Sequence, residues 1–172
     1  MKNKIILILT AILAMSLMMT GCGSNTADSQ EASSQSAGEA GFIFESGDTK
    51  VVMNAETTDI LESLGKETDY FEAESCAFKG IDKTYTYSGF RLYTYPVDEV
   101  DYVLSVEFMD DSVSTTEGLS IGDTKEKVIE TYGEDYEDSE SSIIYTKGKS
   151  QLKFILDSGE VISSIEYLAV TD

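Results

Sequence analysis

Histidine is absent from this 172-residue chain, and cysteine occurs only at Cys22 and Cys76. Without an imidazole, Ser-His-Asp and Cys-His catalytic arrangements and histidine metal sites cannot be built from its own residues. Paired carboxylates of the glycosidase kind survive that exclusion, since 32 acids bring some pair together by chance. No spacing singles out such a pair, and Asp110-Asp111 reads as a turn, so no catalytic residue is assigned and the chain reads as a non-enzyme. Basic residues are scarce too: 12 Lys and Arg against 32 Asp and Glu leave a formal charge of −20. Nucleic acids and anionic membrane surfaces need clustered Lys and Arg, so neither is expected as a partner. Basic partners and divalent cations remain compatible, although solubility alone accounts for such a balance.

A long hydrophobic run is also missing. The most apolar stretch, Ile5 to Met19, is broken by Thr10 and Ser16, and about 15 residues fall short of the ~20 that span a bilayer. Preceded by Lys2 and Lys4 and followed by Thr20-Gly21-Cys22, it reads as a secretory signal peptide. The small pair before a cysteine resembles the lipobox of bacterial lipoproteins, with Met19 where that family usually has leucine. The resemblance implies export, cleavage after residue 21, a diacylglyceryl thioether on Cys22, and a chain held on the extracytoplasmic face of the cell membrane. Two acyl chains anchor stably where one does not. Loss of residues 1–21 would leave 10 basic against 32 acidic residues, about −22. With Cys22 lipidated, Cys76 is the only thiol, which excludes disulfides, redox pairs and two-cysteine metal sites. Within Ser75-Cys76-Ala77-Phe78 it is expected to be buried as a small hydrophobe.

Gly23 to Gly41 has no aromatic residue and no Ile, Leu or Val, so residues 22–41 read as a lipidated cysteine and a disordered tether. Its root-mean-square reach is on the order of 25 Å. Residues 42–172 then suffice for one domain. Phe42–Glu45 and Lys50–Met53 predict a hairpin around Ser46-Gly47-Asp48. Two helices are predicted from related phrases: Ile60-Leu61-Glu62-Ser63-Leu64-Gly65 aligns with Val128-Ile129-Glu130-Thr131-Tyr132-Gly133. Asp123 is the expected cap of the second helix, with Glu126 completing a capping box and Gly133 stopping it. Helices so short are marginal alone, so Ile60, Leu61, Leu64, Val128, Ile129 and Tyr132 should pack into a core.

Strands are predicted at Asp82–Tyr87 and Phe90–Tyr95, joined by Ser88-Gly89 and ended by Pro96, with Val97–Asp101 as an acidic turn. Tyr102–Met109 follows, with Tyr102, Leu104, Val106 and Phe108 expected on one face. In the second half the strands are Ser142–Thr146, Gln151–Leu156 and Val161–Val170. Ser105-Val106-Glu107-Phe108 matches Ser164-Ile165-Glu166-Tyr167. From closing glycine to final aromatic is 43 residues in the first half and 34 in the second, so an insertion is placed at Thr68–Lys79, an irregular segment. The expectation is an α+β fold: tandem cassettes, about 54–110 and 119–170, each a helix and a three-stranded antiparallel meander, joined with the hairpin 42–53 into one sheet of up to eight strands. Helices cover one face and the other stays wet. SCAFKGIDKTYTYSGF and DDSVSTTEGLSIGDT resemble a group of lipoproteins of unassigned function from Gram-positive gut and soil bacteria. Their folded part looks like the beta-lactamase inhibitor protein (BLIP-like) fold, an architecture similar to that of the assembly lipoprotein BamE (SmpA). No inhibitor contact residue carries over.

Glu134, Asp135, Glu137, Asp138 and Glu140 cluster, but without the spaced ligands of an EF-hand they read as a solvated acidic loop; no metal and no cofactor is assigned. The sharper candidate is the wet face. With Ser88-Gly89 as a two-residue turn, Tyr85, Tyr87, Phe90 and Leu92 face the core. Thr84, Thr86, Arg91, Tyr93 and Tyr95 share the opposite side, a composition suited to protein recognition. The sequence thus points to a membrane-anchored, non-catalytic binding module for a protein or cell-wall-associated partner, with a structural or assembly accessory of the envelope as the alternative. A hydrolase or a solute-binding protein fits less well.

Overall fold

The computed structural model describes residues 41–139 and 141–171. In order these form β1 (Ile43–Ser46), β2 (Thr49–Val52), α1 (Thr58–Leu64), β3 (Asp69–Glu74), β4 (Ile81–Thr86), β5 (Phe90–Val97) and β6 (Val100–Phe108). Then come α2 (Lys125–Tyr132), β7 (Glu137–Ser139), β8 (Ser142–Lys147), β9 (Ser150–Leu156) and β10 (Ile162–Ala169). The class is α+β, dominated by a large antiparallel sheet.

Both short helices stop where the aligned glycines stand. Gly65 and Gly133 take φ of 75° and 87° with extended ψ, a combination essentially reserved for glycine. Their N–H groups still reach back to the carbonyls of Leu61 and Ile129, at 3.1 and 2.8 Å. The start of α2 differs from expectation. Thr124 is the cap, its hydroxyl accepting from the Lys127 N–H at 3.3 Å, so Glu126 is not the reciprocal partner. Asp123 instead accepts the Ser120 N–H at 2.9 Å and pairs with Lys127 Nζ at 2.8 Å, which stiffens the turn leading in.

The eight-stranded sheet runs β3-β4-β5-β6-β10-β9-β8-β7. It contains two successive four-stranded meanders rather than three-stranded ones, meeting where β6 pairs β10. Thr68–Lys79 is therefore not irregular throughout, and residues 134–140 are not all loop: β3 and β7 add an outer strand to each half. The hairpin β1-β2 forms its own two-stranded sheet instead of joining the large one. Pairing also continues past Pro96 to Val97↔Val100, around a two-residue turn at Asp98-Glu99.

One set of alternating positions is buried: Leu92, Val106, Tyr167, Leu152 and Tyr145 lie in register across five strands. The core they build also contains Ile60 of α1, Val128 of α2, Leu119 and the hairpin's Phe44 and Val51. Phe44 lies 4.8 Å from the Phe90 ring, 5.3 Å from Phe108 and 5.8 Å from Tyr167. The hairpin thus contributes to the same apolar core as the two short helices. Alternation in β6 is broken between Ser105 and Val103, where the register with β5 slips by one. Val103 takes the core position expected of Leu104, and Leu104 and Tyr102 fall out of phase with Val106 and Phe108.

Candidate functional site

The opposite face of the sheet is organised about the junction of its halves. Glu107 of β6 stands directly across from Glu166 of β10, the two glutamates of the matched phrases. Outward on one side follow Arg91, Thr86 and Asp69, and on the other Lys153, Ile144 and Glu137. The row reads as two related quartets back to back: acid, neutral, base, acid. Two carboxylates facing each other would be unfavourable, and each is compensated by its own base. Arg91 Nη1 lies 3.5 Å from Glu107 Oε2, and Lys153 Nζ 3.2 Å from Glu166 Oε2.

The adjacent row distinguishes the halves. Phe71, Thr84, Tyr93 and Ser105 lie in register and continue through Leu168, Gln151 and Thr146. The Tyr93 hydroxyl donates to Glu107 Oε2 at 2.6 Å. Burial, then that bond and the carboxylate's charge, hold the phenol above its ordinary pKa, so it remains a donor. Tyr93 and then Glu107 raise the Arg91 guanidinium further. Tyr93, Leu104, Ser105, Glu107, Glu166 and Leu168 line a shallow hollow of about 280 Å³. Its chemistry is a charge ladder beside an aromatic and aliphatic floor, suited to holding a surface.

Of the five residues expected here, Thr84, Thr86, Arg91 and Tyr93 share the open face. Tyr95 does not serve with them: it is 9% exposed, its ring 4.7 Å from Phe78 and its hydroxyl donating to Asn54 Oδ1 at 3.0 Å. The connection 75–80 brings Phe78 over it, which strand alternation cannot foresee. The same connection exposes Cys76 instead of burying it. The Ser75 hydroxyl accepts the N–H groups of Ala77 and Phe78, and the tight turn directs Phe78, not the thiol, inward. Glu107, Lys153 and Glu166 were missed as floor residues although alternation with Val106, Leu152 and Ile165 marks them. Phe71 was missed because its segment was not read as a strand.

Among the described residues no group of three or more His, Cys, Asp or Glu is placed to hold a metal ion. No helix among them is long and apolar enough to cross a membrane. Cys22 and the stretch read as a signal peptide lie outside the described residues. What fold and face define is an α+β protein whose large antiparallel sheet carries, among the described residues, a partly exposed, aromatic and charge-paired surface. No protein-family model, no curated protein and no solved structure matches the chain.

Proposed function

We propose that this is a non-catalytic binding module, anchored through lipidated Cys22 on the extracytoplasmic face of the membrane, that holds a protein or cell-envelope partner on its open sheet face. The supporting observation is the hollow at the junction of the halves, bordered by Tyr93, with Phe71 farther along the same row and Arg91 in the neighbouring one. Aromatic and arginine side chains dominate recognition surfaces, because they offer large contact area with directional polar ends. In the finer fold reading, α1, α2 and the β1-β2 hairpin roof the other face in the manner of BLIP-like tandem cassettes; the shared core of Ile60, Val128 and Phe44 supports it. A photo-crosslinking side chain at Thr84 or Thr86 in intact cells should capture a discrete partner, and Tyr93→Ala should abolish capture. Equal capture from Glu62 or Glu130 on the helices would overturn the reading of the face. In the same cells Cys22→Ala should move the chain from the membrane fraction to the medium; retention would overturn the anchor alone.

A further inference from the structure

The two outer strands of the sheet are related by position but not by length. β7 has three residues, whereas β3 has six, and its register on β4 runs unbroken from Asp69↔Thr86 to Glu74↔Ile81. Sheet edges are ordinarily blunted by shortness, by charged side chains, lysine above all, by proline, or by a bulge. β3 is long and has no lysine, proline or register break; its only such device is three acids, which repel acidic strands and not basic ones. All six of its residues are exposed, with Phe71 at 64%. The Ser75 N–H bonds the Gly80 carbonyl at 3.0 Å, and alternation from there turns Ala73, Phe71 and Asp69 toward β4. The backbone N–H and C=O groups of Glu74, Glu72 and Tyr70 then point away from the sheet.

We infer that β3 is an acceptor edge for an extended, basic segment of a partner protein, which adds to the sheet as a ninth strand. Charge selects the occupant. Three of six β3 residues are acids and none is basic. A second copy paired edge to edge would bring together two strands that each carry three acids and no base. The chain's own segment 23–41 carries Asp28, Glu31 and Glu39 without a Lys or Arg, so it too is repelled. The favoured segment has Lys or Arg on the side of Glu72 and Glu74. On the other side it has an apolar residue against Phe71 and a base near Asp69. This interaction uses backbone groups at the rim and meets the open face only at Phe71 and Asp69, so it does not depend on Tyr93 or the hollow beside it.

The test uses the full chain in detergent and a short synthetic peptide of alternating Lys and Val. Binding is expected, with the amides of Tyr70, Glu72 and Glu74 gaining protection from hydrogen exchange. Methylating alternate backbone nitrogens of the peptide keeps its charge and removes its donors, and should weaken binding by about tenfold or more. Glu72→Pro, which deletes an outward N–H without touching the β4 ladder, should do the same. Glu72→Lys with Glu74→Lys should transfer preference to an alternating Glu and Val peptide, while Tyr93→Ala changes nothing. Equal binding of the methylated peptide, or protection elsewhere than β3, would mean diffuse charge attraction and overturn the proposal. So would dimerisation of the chain through β3 without peptide.

Discussion

At the scale of single residues, side-chain identity was legible where strand alternation alone decides the environment. Tyr87 and Leu92 go to the core and Tyr93 to the open face, as the Ser88-Gly89 turn requires. Tyr95 and Cys76 were not legible, because one non-local contact, Phe78 on the Tyr95 ring, reverses both. The helix-closing glycines show a related long-range link. The Tyr145 hydroxyl donates to the Gly133 carbonyl at 2.7 Å, and the Tyr87 hydroxyl reaches the Gly65 carbonyl at 3.5 Å. Each satisfies a carbonyl that the helix end leaves unpaired. Tyr145→Phe should therefore destabilise by about 1–2 kcal/mol, read as a lower urea midpoint with unchanged slope. Tyr87→Phe, with its longer bond, should cost distinctly less. Equal costs would show that the phenol rings, not their hydroxyls, stabilise these positions.

Among the elements, the helices and central strands were readable because period and stop signals coincide, whereas β3 and β7 were not. DYFEAE and EDS bury nothing and carry several acids, so their strand state comes from pairing with β4 and β8 rather than from their own pattern. The β5-β6 turn was misread for another reason. It needs positive φ at two successive residues, 52° at Asp98 and 85° at Glu99, yet contains no glycine or asparagine to signal that geometry. A two-residue turn of this hand favours Asn-Gly, and side chains held there are strained by roughly 1–2 kcal/mol each. Asp98→Asn with Glu99→Gly is expected to stabilise the protein by about 1 kcal/mol after glycine's extra unfolded-state freedom is deducted. Denaturant melts of the double variant measure it directly. A drop in stability would mean that the two acids make favourable contacts outweighing their backbone strain.

For the molecule as a whole, the tandem order was visible in the matched phrases, but the fact that Glu107 and Glu166 face each other was not, since pairing of the halves is a tertiary choice. The composition nevertheless constrains how the assembled protein responds to pH. It has no histidine to titrate between about pH 5 and 8, and its perturbed groups lie at the extremes. Burial raises the phenols of Tyr85, Tyr87, Tyr93 and Tyr95, and more strongly those of Tyr132 and Tyr167, while Tyr145 is pushed up to about 12. Lys83 is raised as well, chiefly by its 2.6 Å bond to Asp101. In the unfolded chain the tyrosines ionise near 10 and lysine slightly above, so above about pH 10 the folded state binds more protons than the unfolded one. Stability must then fall with pH, being intact below the unfolded values and lost as the folded ones are approached. Asp110 and Asp123 act oppositely: hydrogen bonds and Lys127 lower them, and their contribution disappears only as pH drops below about 4. Urea midpoints should therefore change little from about pH 6 to 9 and decline steeply from about 10 to 12, with tyrosinate absorbance rising together with unfolding. Full tyrosine ionisation near pH 10 by a chain that keeps its sheet would mean that these hydroxyls reach water, and that the core and the floor around Tyr93 are looser than described.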